Sequence, residues 1–170
     1  MPQISILVDY AHEPQSLKLL LETFEKWREN LFFDSIIHIL SCDGAGRDDW
    51  KKPIMGEISY QKADYTFITT DNYNFKDNPE LIMDLLTQKY PSSTLNTKYF
   101  RNSKRLDSLK SALSLAKTLP VSKVLICSTG VGSEQGLTQP GGRMDWDERQ
   151  VWKNLWSENN LLPDLVAKKG

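Results

Sequence analysis

The chain has 170 residues, of which 39% are hydrophobic and 25% charged, a composition typical of one globular domain with a full hydrophobic core. Its formal net charge of −1 gives no overall attraction to nucleic acid, and no apolar run approaches the roughly 20 residues that span a bilayer. The two cysteines belong to no C-x-x-C or His/Cys cluster, so we expect no metal site. Without a signal peptide, we also expect free thiols and a cytoplasmic location.

Five apolar runs predict strands, and they alternate along the chain with amphipathic helical patterns. The predicted strands are residues 4–8, 35–41, 65–69, 97–100 and 123–128. The predicted helices are residues 15–29, 54–62, 79–90, 104–116 and one from about 147, and the stretch 136–145 is expected to be irregular. This alternation predicts a single α/β domain over residues 1–170, with a mostly parallel sheet covered by helices on both faces.

Two kinds of residue in these elements fit the core better than a binding site. His38 lies inside a predicted strand, where a hydrogen-bonded core or edge histidine is expected rather than a ligand. Trp27, Trp152 and Trp156 fall on helical core positions, so we expect them to be buried rather than to stack on a ligand.

Polar or glycine-rich loops follow four of the predicted strands. These loops are residues 9–14, 42–53, 70–77 and 129–135. Ligands of parallel sheets bind beyond the carboxyl ends of the strands. We therefore expect these loops to form one binding site.

The loop after the second strand combines glycines with three cationic residues, Arg47, Lys51 and Lys52. A glycine turn ahead of a helix N-terminus favours an anion, and the fork of Arg47 suits a carboxylate in particular. The alternative is a solvated basic turn, in which Arg47 and Lys52 balance Asp48 and Asp49.

The loops after the first and third strands carry weaker signals. Asp9 is placed to accept hydrogen bonds from a ribose, with His12 beside it, or the two are a helix-terminal carboxylate and a turn histidine. The polar side chains of Asp71, Asn72 and Asn74 suit the ammonium and carboxylate of an amino acid, or form an Asx-rich turn.

The last loop places Glu134 shortly after Gly130-x-Gly132, either as a partner for a ligand amine or as a surface acid. The chain contains no G-x-x-x-x-G-K-[ST] phosphate loop and no Gly-x-Ser-x-Gly nucleophile turn. It also lacks a Cys/His pair at catalytic placement. The sequence therefore indicates groups that bind anions and amines, without the machinery for a reaction.

Several motifs follow one another over nearly the whole chain. The first is Val8-Asp9-Tyr10-Ala11-His12, with Pro14 and Ser16-Leu17 after it. The second is Gly44-x-Gly46-Arg47-Asp48-x-Trp50-Lys51-Lys52-Pro53-x-Met55-Gly56. The others are Thr70-Asp71-Asn72, Gly130-x-Gly132-Ser133-Glu134 and Asp145-Trp146-Asp147-Glu148-Arg149. Together they resemble the C-terminal domain of the Mur ligases, most closely the muramyl-tripeptide branch, which extends UDP-N-acetylmuramoyl-L-alanyl-D-glutamate.

The resemblance implies a Rossmann-like, three-layer domain with about six strands, one of them antiparallel. Full-length relatives have an N-terminal domain for the UDP end, a central domain that binds ATP and Mg²⁺, and this domain, which brings the incoming amino acid. Ligation proceeds through an acyl phosphate, which the amine attacks. The resemblance therefore implies that this domain does not ligate UDP-muramoyl-dipeptide and amino acid by itself.

The resemblance also implies roles for individual residues. Those that bind the amino acid would be Arg47, Asp71, Asn72, Tyr73, Asn74, Gly130 and Glu134. Those that face the nucleotide would be Asp9 and His12, and those that supply supporting charge Lys51 and Lys52. Within the first group, Arg47 would hold the distal carboxylate of the amino acid and Glu134 an amine.

Departures from the family pattern bear on specificity. Relatives that add meso-diaminopimelate carry Asp-Asn-Pro-Arg, where this chain has Asp71-Asn72-Tyr73-Asn74. Because the arginine that would clamp a second carboxylate is absent, lysine or ornithine becomes a reasonable amino acid, and diaminopimelate stays an alternative if another group supplies the charge. In the last loop, Val131 and Ser133 replace the lysine and histidine of the family's GKGHE segment.

Two other functions stay open at this point. A stand-alone, non-catalytic binding or regulatory module would reuse the same fold. The equivalent domain of a folylpolyglutamate or cyanophycin synthetase would share the ATP-dependent formation of an amide. The Asp-Tyr-Ala-His start and the Asp-Asn motif favour the muramyl ligases over these other synthetases.

Overall fold

The computed structural model describes residues 1–44, 46 and 48–158. Its central sheet contains five strands: Gln3–Val8 (β1), Ser35–Leu40 (β2), Tyr65–Ile68 (β3), Tyr99–Arg101 (β4) and Lys123–Ser128 (β5). All are parallel, in the order β1-β5-β2-β3-β4. A separate antiparallel hairpin pairs Leu137–Gln139 (β6) with Gly142–Met144 (β7).

Five α-helices connect or follow these strands within the described residues. They are Pro14–Glu29 (α1), Lys52–Lys62 (α2), Pro79–Thr87 (α3), Arg105–Thr118 (α4) and Glu148–Glu158 (α5). Short 3₁₀ turns occupy Asp49–Lys51, directly ahead of α2, and Ser92–Thr94. None of the described helices combines the length and the apolar character needed to cross a membrane.

The sheet is buried on both faces, as the continuous apolar run of β2 predicts. Ile36 and Leu40 of β2 pack in one core with side chains of α1, α2 and α3. Ile37 and Ile39, which point to the opposite face, pack in a second core with α4 and α5. The predicted three-layer α/β fold is therefore confirmed.

The antiparallel strand lies elsewhere than the resemblance implies. The described part of the main sheet has five strands, all parallel, and the antiparallel pairing occurs in the hairpin of β6 and β7. The expectation of an irregular stretch over 136–145 was therefore wrong. Pro140 and Gly141 form a two-residue turn between the strands, and Gly142 has a φ of +115°, which glycine adopts without steric cost.

The tryptophan expectation is confirmed at Trp152 and wrong at Trp27. Trp152 is 3% exposed and packs in the core between α5 and the sheet. Trp27 is 41% exposed, because the buried stripe of α1 runs through Leu17, Leu21 and Phe24 and leaves Trp27 at its edge. Its ring packs against the Phe24 ring at a centroid distance of 5.6 Å.

His38 is a core histidine, as expected from its place in β2. Its side chain is fully buried, with Nδ1 2.7 Å from Ser59 Oγ and Nε2 3.0 Å from Thr129 Oγ1. Burial and, to a smaller extent, the positive charge of Arg105 together lower the pKa of His38 to about 3. The neutral imidazole therefore ties the middle of the sheet to a loop at its carboxyl edge.

Candidate functional site

The loops that follow β1, β2, β3 and β5 meet at the carboxyl edge of the sheet. The backbone N–H of Gly44 donates to Asn72 O at 2.8 Å, which joins the loops after β2 and β3. The N–H of Tyr73 donates to Thr138 O at 3.0 Å, which joins the loop after β3 to the hairpin. The structure thus brings together the loops in which the sequence analysis placed its candidates.

A cleft of about 320 Å³ opens at this edge. Its lining includes the acids Asp43, Asp48 and Asp77, the cations Lys51 and Lys52, and the neutral residues Asn72, Tyr73 and Asn74. A cleft with both signs of charge matches a zwitterionic ligand better than a phosphate group.

The two lysines of the cleft already have acidic partners. Lys51 Nζ lies 2.6 Å from Glu13 Oε1 and 3.8 Å from Asp48 Oδ2. Burial lowers the pKa of Lys51, but the hydrogen bond to Glu13 and the nearby negative charges, including those of Glu13 and Asp48, together outweigh burial and leave that pKa above its ordinary value. Lys52 pairs with Asp49, as the alternative of a charge-balanced turn predicts. Its side chain is nevertheless buried rather than solvated. Arg47 lies outside the described residues.

A smaller polar cavity of about 80 Å³ lies beside the cleft, and Lys51 and Asp43 line both. Its wall carries three carboxyl groups, those of Asp43, Asp71 and Glu134. Three acids facing one lysine give this cavity an excess of negative charge. It therefore suits an ammonium group.

Asn72 and Tyr10 hold acidic side chains of the small cavity in place through hydrogen bonds. Asn72 Nδ2 donates to Asp43 Oδ1 at 3.4 Å and to Glu134 Oε2 at 3.3 Å, while Asn72 Oδ1 accepts from Thr138 N at 2.8 Å. Tyr10 OH donates to Glu134 Oε1 at 3.0 Å, and this hydrogen bond raises the pKa of Tyr10. Glu134 is thus held by both neighbours at the rim of the cavity.

Asp71 is the most deeply buried of the three acids that line the small cavity. It is 3% exposed, and its Oδ1 has no hydrogen-bond partner although it lies 3.5 Å from Arg105 Nη1. Burial raises the pKa of Asp71 to about 7, against the opposing effect of the Arg105 charge. Its carboxyl therefore forms the floor of the small cavity and faces inward to Arg105.

Gly130 is required where the small cavity approaches the loop after β5. Its φ is +98°, and a Cβ at this position would lie 2.6 Å from both Asp71 Oδ2 and Ser41 Oγ. A side chain would collide with the cavity floor in a backbone conformation that L-residues rarely adopt. Gly130 therefore lies next to Asp71 in the wall of the small cavity.

Asn74 and Tyr73 line the cleft but also hold their own loop. Asn74 Oδ1 accepts from Lys76 N at 2.8 Å, and Asn74 N donates to Asp77 Oδ2 at 2.9 Å. Tyr73 packs against the core beneath the cleft. Asn74 therefore behaves as an Asx-turn residue whose side-chain oxygen is used within its own loop.

Asp9 and His12 follow β1 at this edge, and His12 lines the small cavity. Asp9 Oδ1 accepts from Ala11 N at 2.8 Å, an Asx turn that ends β1. His12 is exposed, with Nδ1 2.9 Å from Tyr10 O and its ring 4.8 Å from the Tyr10 ring. Asp9 is half-buried.

The sequence analysis missed a buried ion pair behind the site. Arg105 Nε and Nη2 donate to Glu148 Oε2 and Oε1 at 2.6 and 2.7 Å, and Glu148 is fully buried. Trp146 Nε1 donates to the same carboxylate at 3.0 Å. The closing acidic motif, which contains Glu148, drew attention to this residue in the sequence. The partner of Glu148 could not be read from the sequence, because the pairing with Arg105 depends on the fold.

The described residues show no group of three or more His, Cys, Asp or Glu side chains placed to hold a metal ion. Both cysteines are free and buried, as the absence of a Cys cluster predicts. Burial raises the pKa of Cys42 to about 12, so its thiol stays protonated at neutral pH. Neither thiol is therefore poised as a nucleophile.

Comparison with known proteins decides the family. The family described as Mur ligase, glutamate ligase domain, matches residues 2–130. The chain belongs to this Mur ligase domain family. The resemblance inferred from the motifs is thereby confirmed.

Similar proteins carry the name UDP-N-acetylmuramoyl-L-alanyl-D-glutamate--2,6-diaminopimelate ligase. That of Cytophaga hutchinsonii is 30% identical over 155 residues, which cover 90% of this chain and 29% of the relative. That of Clostridium botulinum is 29% identical over 153 residues, with the same coverage of 90% and 29%. The chain thus spans less than a third of the length of these Mur ligases.

Solved structures agree on the fold. A structure of a UDP-N-acetylmuramoyl-L-alanyl-D-glutamate--2,6-diaminopimelate ligase superposes with a TM-score of 0.76 at 21% identity, over 94% of this chain and 30% of the other. Folylpolyglutamate synthase from Mycobacterium tuberculosis superposes with a TM-score of 0.52 at 16% identity, over 74% of this chain and 26% of the other. Both superpositions support the α/β fold described above.

Proposed function

We propose that this chain is the amino-acid-binding domain of an ATP-dependent muramyl-peptide ligase and does not ligate when alone. The single observation that carries this proposal is the pairing of an acidic cavity with a cleft of mixed charge at one edge of the sheet. Together the two cavities match the amine and the carboxylate of an incoming amino acid. Family membership supports this use of the edge.

The amine would enter the small cavity, where the carboxylates of Asp43 and Glu134 offer charge-assisted hydrogen bonds. Asn72 links these two acids and would keep their spacing fixed. The carboxylate end would lie in the cleft on the side of Lys51, and Arg47 would take the distal carboxylate when one is present.

The amino acid we propose is lysine or ornithine rather than diaminopimelate, although the relatives are named for the latter. Asn74 stands where the diaminopimelate-specific motif has arginine, and its oxygen is already used by Lys76 N. Loss of one arm of a charged bidentate contact weakens binding of a second carboxylate by roughly 1.5–3 kcal/mol.

The remaining substrates would bind mainly outside this chain. ATP with Mg²⁺ and the UDP-muramoyl-dipeptide would be held by the N-terminal and central domains of a longer protein, since this sequence has no phosphate loop. ATP supplies the phosphoryl group that activates the acceptor carboxylate. The half-buried Asp9 and the exposed His12 would face the nucleotide in a protein that we propose works in the cytoplasm.

Two assays test this proposal. The chain alone, mixed with ATP, Mg²⁺, UDP-muramoyl-dipeptide and lysine, should release no ADP above background. A chimera in which this chain replaces the matching part of the Cytophaga hutchinsonii relative should ligate lysine. ADP release by the chain alone would refute the domain assignment, and a chimera that folds but accepts only diaminopimelate would refute the specificity.

A matched pair of variants locates the site in the chimera. Glu134→Gln should raise the KM for lysine at least about tenfold, because it removes one charge-assisted partner of the amine. Glu57→Gln, at an exposed glutamate of α2 that pairs with Lys89, should leave the KM unchanged. A non-catalytic binding module would instead bind amino acid as the chain alone and give an inactive chimera.

A further inference from the structure

The buried guanidinium of Arg105 touches three of the loops that form the two cavities. Its Nη1 donates to Ser41 Oγ, after β2, at 2.6 Å. Its Nη2 donates to Thr129 O, after β5, at 3.0 Å. Its Nη1 also lies 3.5 Å from Asp71 Oδ1, after β3. A single side chain therefore meets the ends of three neighbouring strands.

The opposite edge of this guanidinium is anchored to α5. Glu148 accepts from Nε and Nη2 at 2.6 and 2.7 Å and also from Trp146 at 3.0 Å. The Arg105 and Glu148 side chains are 2% and 0% exposed. Because the guanidinium is a rigid planar fork, fixing one edge on Glu148 fixes where the other edge meets the loops.

The small cavity lies directly in front of this arrangement. Asp71 and Gly130 form part of its wall, and the Asp71 carboxyl faces Arg105 from the other side. The space between the loops is tight, since a Cβ on Gly130 would lie 2.6 Å from Ser41 Oγ and from Asp71 Oδ2. A shift of any one loop by a few tenths of an ångström would therefore change the shape of the cavity.

We propose that Arg105 is a positioning residue, which sets the spacing of the loops after β2, β3 and β5 without touching the ligand. The identity of the ligand as an amino acid rests on the proposed function above. The spacing role itself stands on contacts within this chain.

The variants separate positioning from simple support of the fold. Arg105→Met leaves Glu148 buried without its partner and is expected to lose stability. Arg105→Met combined with Glu148→Leu removes both charges, and such paired replacements by apolar residues often restore stability. Arg105→Lys keeps the charge near Glu148 but has no fork to reach Ser41 and Thr129. The matched control is Arg101→Met, which removes a half-buried arginine that pairs with the exposed acids Glu80 and Asp84.

Hydrogen exchange of the unliganded chain is the first measurement. The comparison requires that the double variant and the parent have the same global stability within error. The amides of Gly44, Tyr73 and Glu134 should then exchange at least about tenfold faster in the double variant than in the parent. The amides of Asp34 and Asp64, which donate to Lys123 O and Ile36 O at the amino ends of the strands, should not change. Unchanged exchange at the three loop amides would overturn the proposal, whether or not the chain binds lysine. If the double variant does not fold, the same comparison on Arg105→Lys decides.

Lysine binding is the second measurement. The double variant and Arg105→Lys should each bind lysine at least about tenfold more weakly than the parent, whereas Arg101→Met should bind like the parent. Recovery of both stability and affinity in the double variant would show that Arg105 only supports the fold. If the parent itself does not bind lysine, the proposed function fails, and the exchange measurement still decides the positioning role.

Discussion

Arg105 and Glu148 form a buried bidentate ion pair that joins the first turn of α4 to the first turn of α5. The two contacts measure 2.6 and 2.7 Å, and the remaining Nη1 of Arg105 points to the loop after β2 through Ser41. The pair lies under the acidic cavity, so the side chains that support the binding edge from below are charged rather than apolar. Substitutions of these buried residues should therefore affect the site although they do not line it.

Breaking this pair from one side should be costly. Glu148→Gln leaves the guanidinium of Arg105 buried without a full counter-charge, and we expect a loss of about 3–5 kcal/mol in unfolding free energy. Urea unfolding at pH 7 measures the loss. Glu57→Gln, which removes an exposed partner of Lys89, should cost less than about 1 kcal/mol. A loss below about 1 kcal/mol for Glu148→Gln would contradict the role of the pair.

Asp71 should make the stability depend on pH. Burial raises its folded-state pKa from the ordinary 3.8 to about 7, so between these values the folded chain holds a proton that the unfolded chain has lost. Its contribution is therefore complete below about pH 4 and is lost as the pH rises to 7. Asp71→Asn cannot titrate, so its stability relative to the parent should improve from pH 5 to pH 8, by up to about 1.4 kcal/mol per unit within the window. A constant difference between the two proteins at all pH values would refute this.

Gly130 and Gly141 form a matched pair for testing the cavity wall. Gly130→Ala places a Cβ 2.6 Å from Asp71 and Ser41 at a positive φ, and we expect a loss of at least about 2 kcal/mol together with weaker lysine binding. Gly141→Ala meets nothing within 4 Å and should change the stability by less than about 0.5 kcal/mol. Thermal unfolding with and without lysine measures both effects. Equal behaviour of the two variants would contradict the tight wall at Gly130.

Most of the fold was predictable from the sequence, because buried parallel strands and amphipathic helices leave clear periodic patterns. The strand at 35–41 and the helix at 15–29 match β2 and α1 within one residue. The hairpin of β6 and β7 was not predictable in this way, since two strands of three residues are too short for a period to show. Trp27 obeyed the helical spacing but fell on the edge of the buried stripe, a distinction that only packing decides.

The sequence could predict where the candidate site lies in the fold, but not which residues contact one another within it. Loops at the carboxyl ends of parallel strands converge by topology, so the sequence could locate Asn72 and Glu134 at one edge. The partner of Glu148 could not be predicted, because Arg105 at the start of a helix looks like any solvated cation until the chain folds and brings Glu148, 43 positions further along, against it. Burial of Asp71 likewise depends on neighbours from three other strands.

Specificity should shift when the missing arginine is restored. Asn74→Arg in the chimera should improve the kcat/KM for diaminopimelate relative to lysine by about tenfold or more, since a bidentate contact to the second carboxylate gains roughly 1.5–3 kcal/mol. Asn154→Arg, on α5, adds the same charge at a different position and should leave the ratio unchanged. Competition between the two amino acids measures the ratio. An unchanged ratio in Asn74→Arg would show that another group decides the choice.

The most direct test of the binding edge is an NMR titration of the chain with L-lysine. We predict saturable shifts at the amides of Gly44, Asn72, Gly130 and Glu134, which are lost in Glu134→Gln and kept in Glu57→Gln. The absence of saturable shifts, or shifts confined to the opposite end of the sheet, would contradict the claim that this domain binds the amino acid at its strand ends.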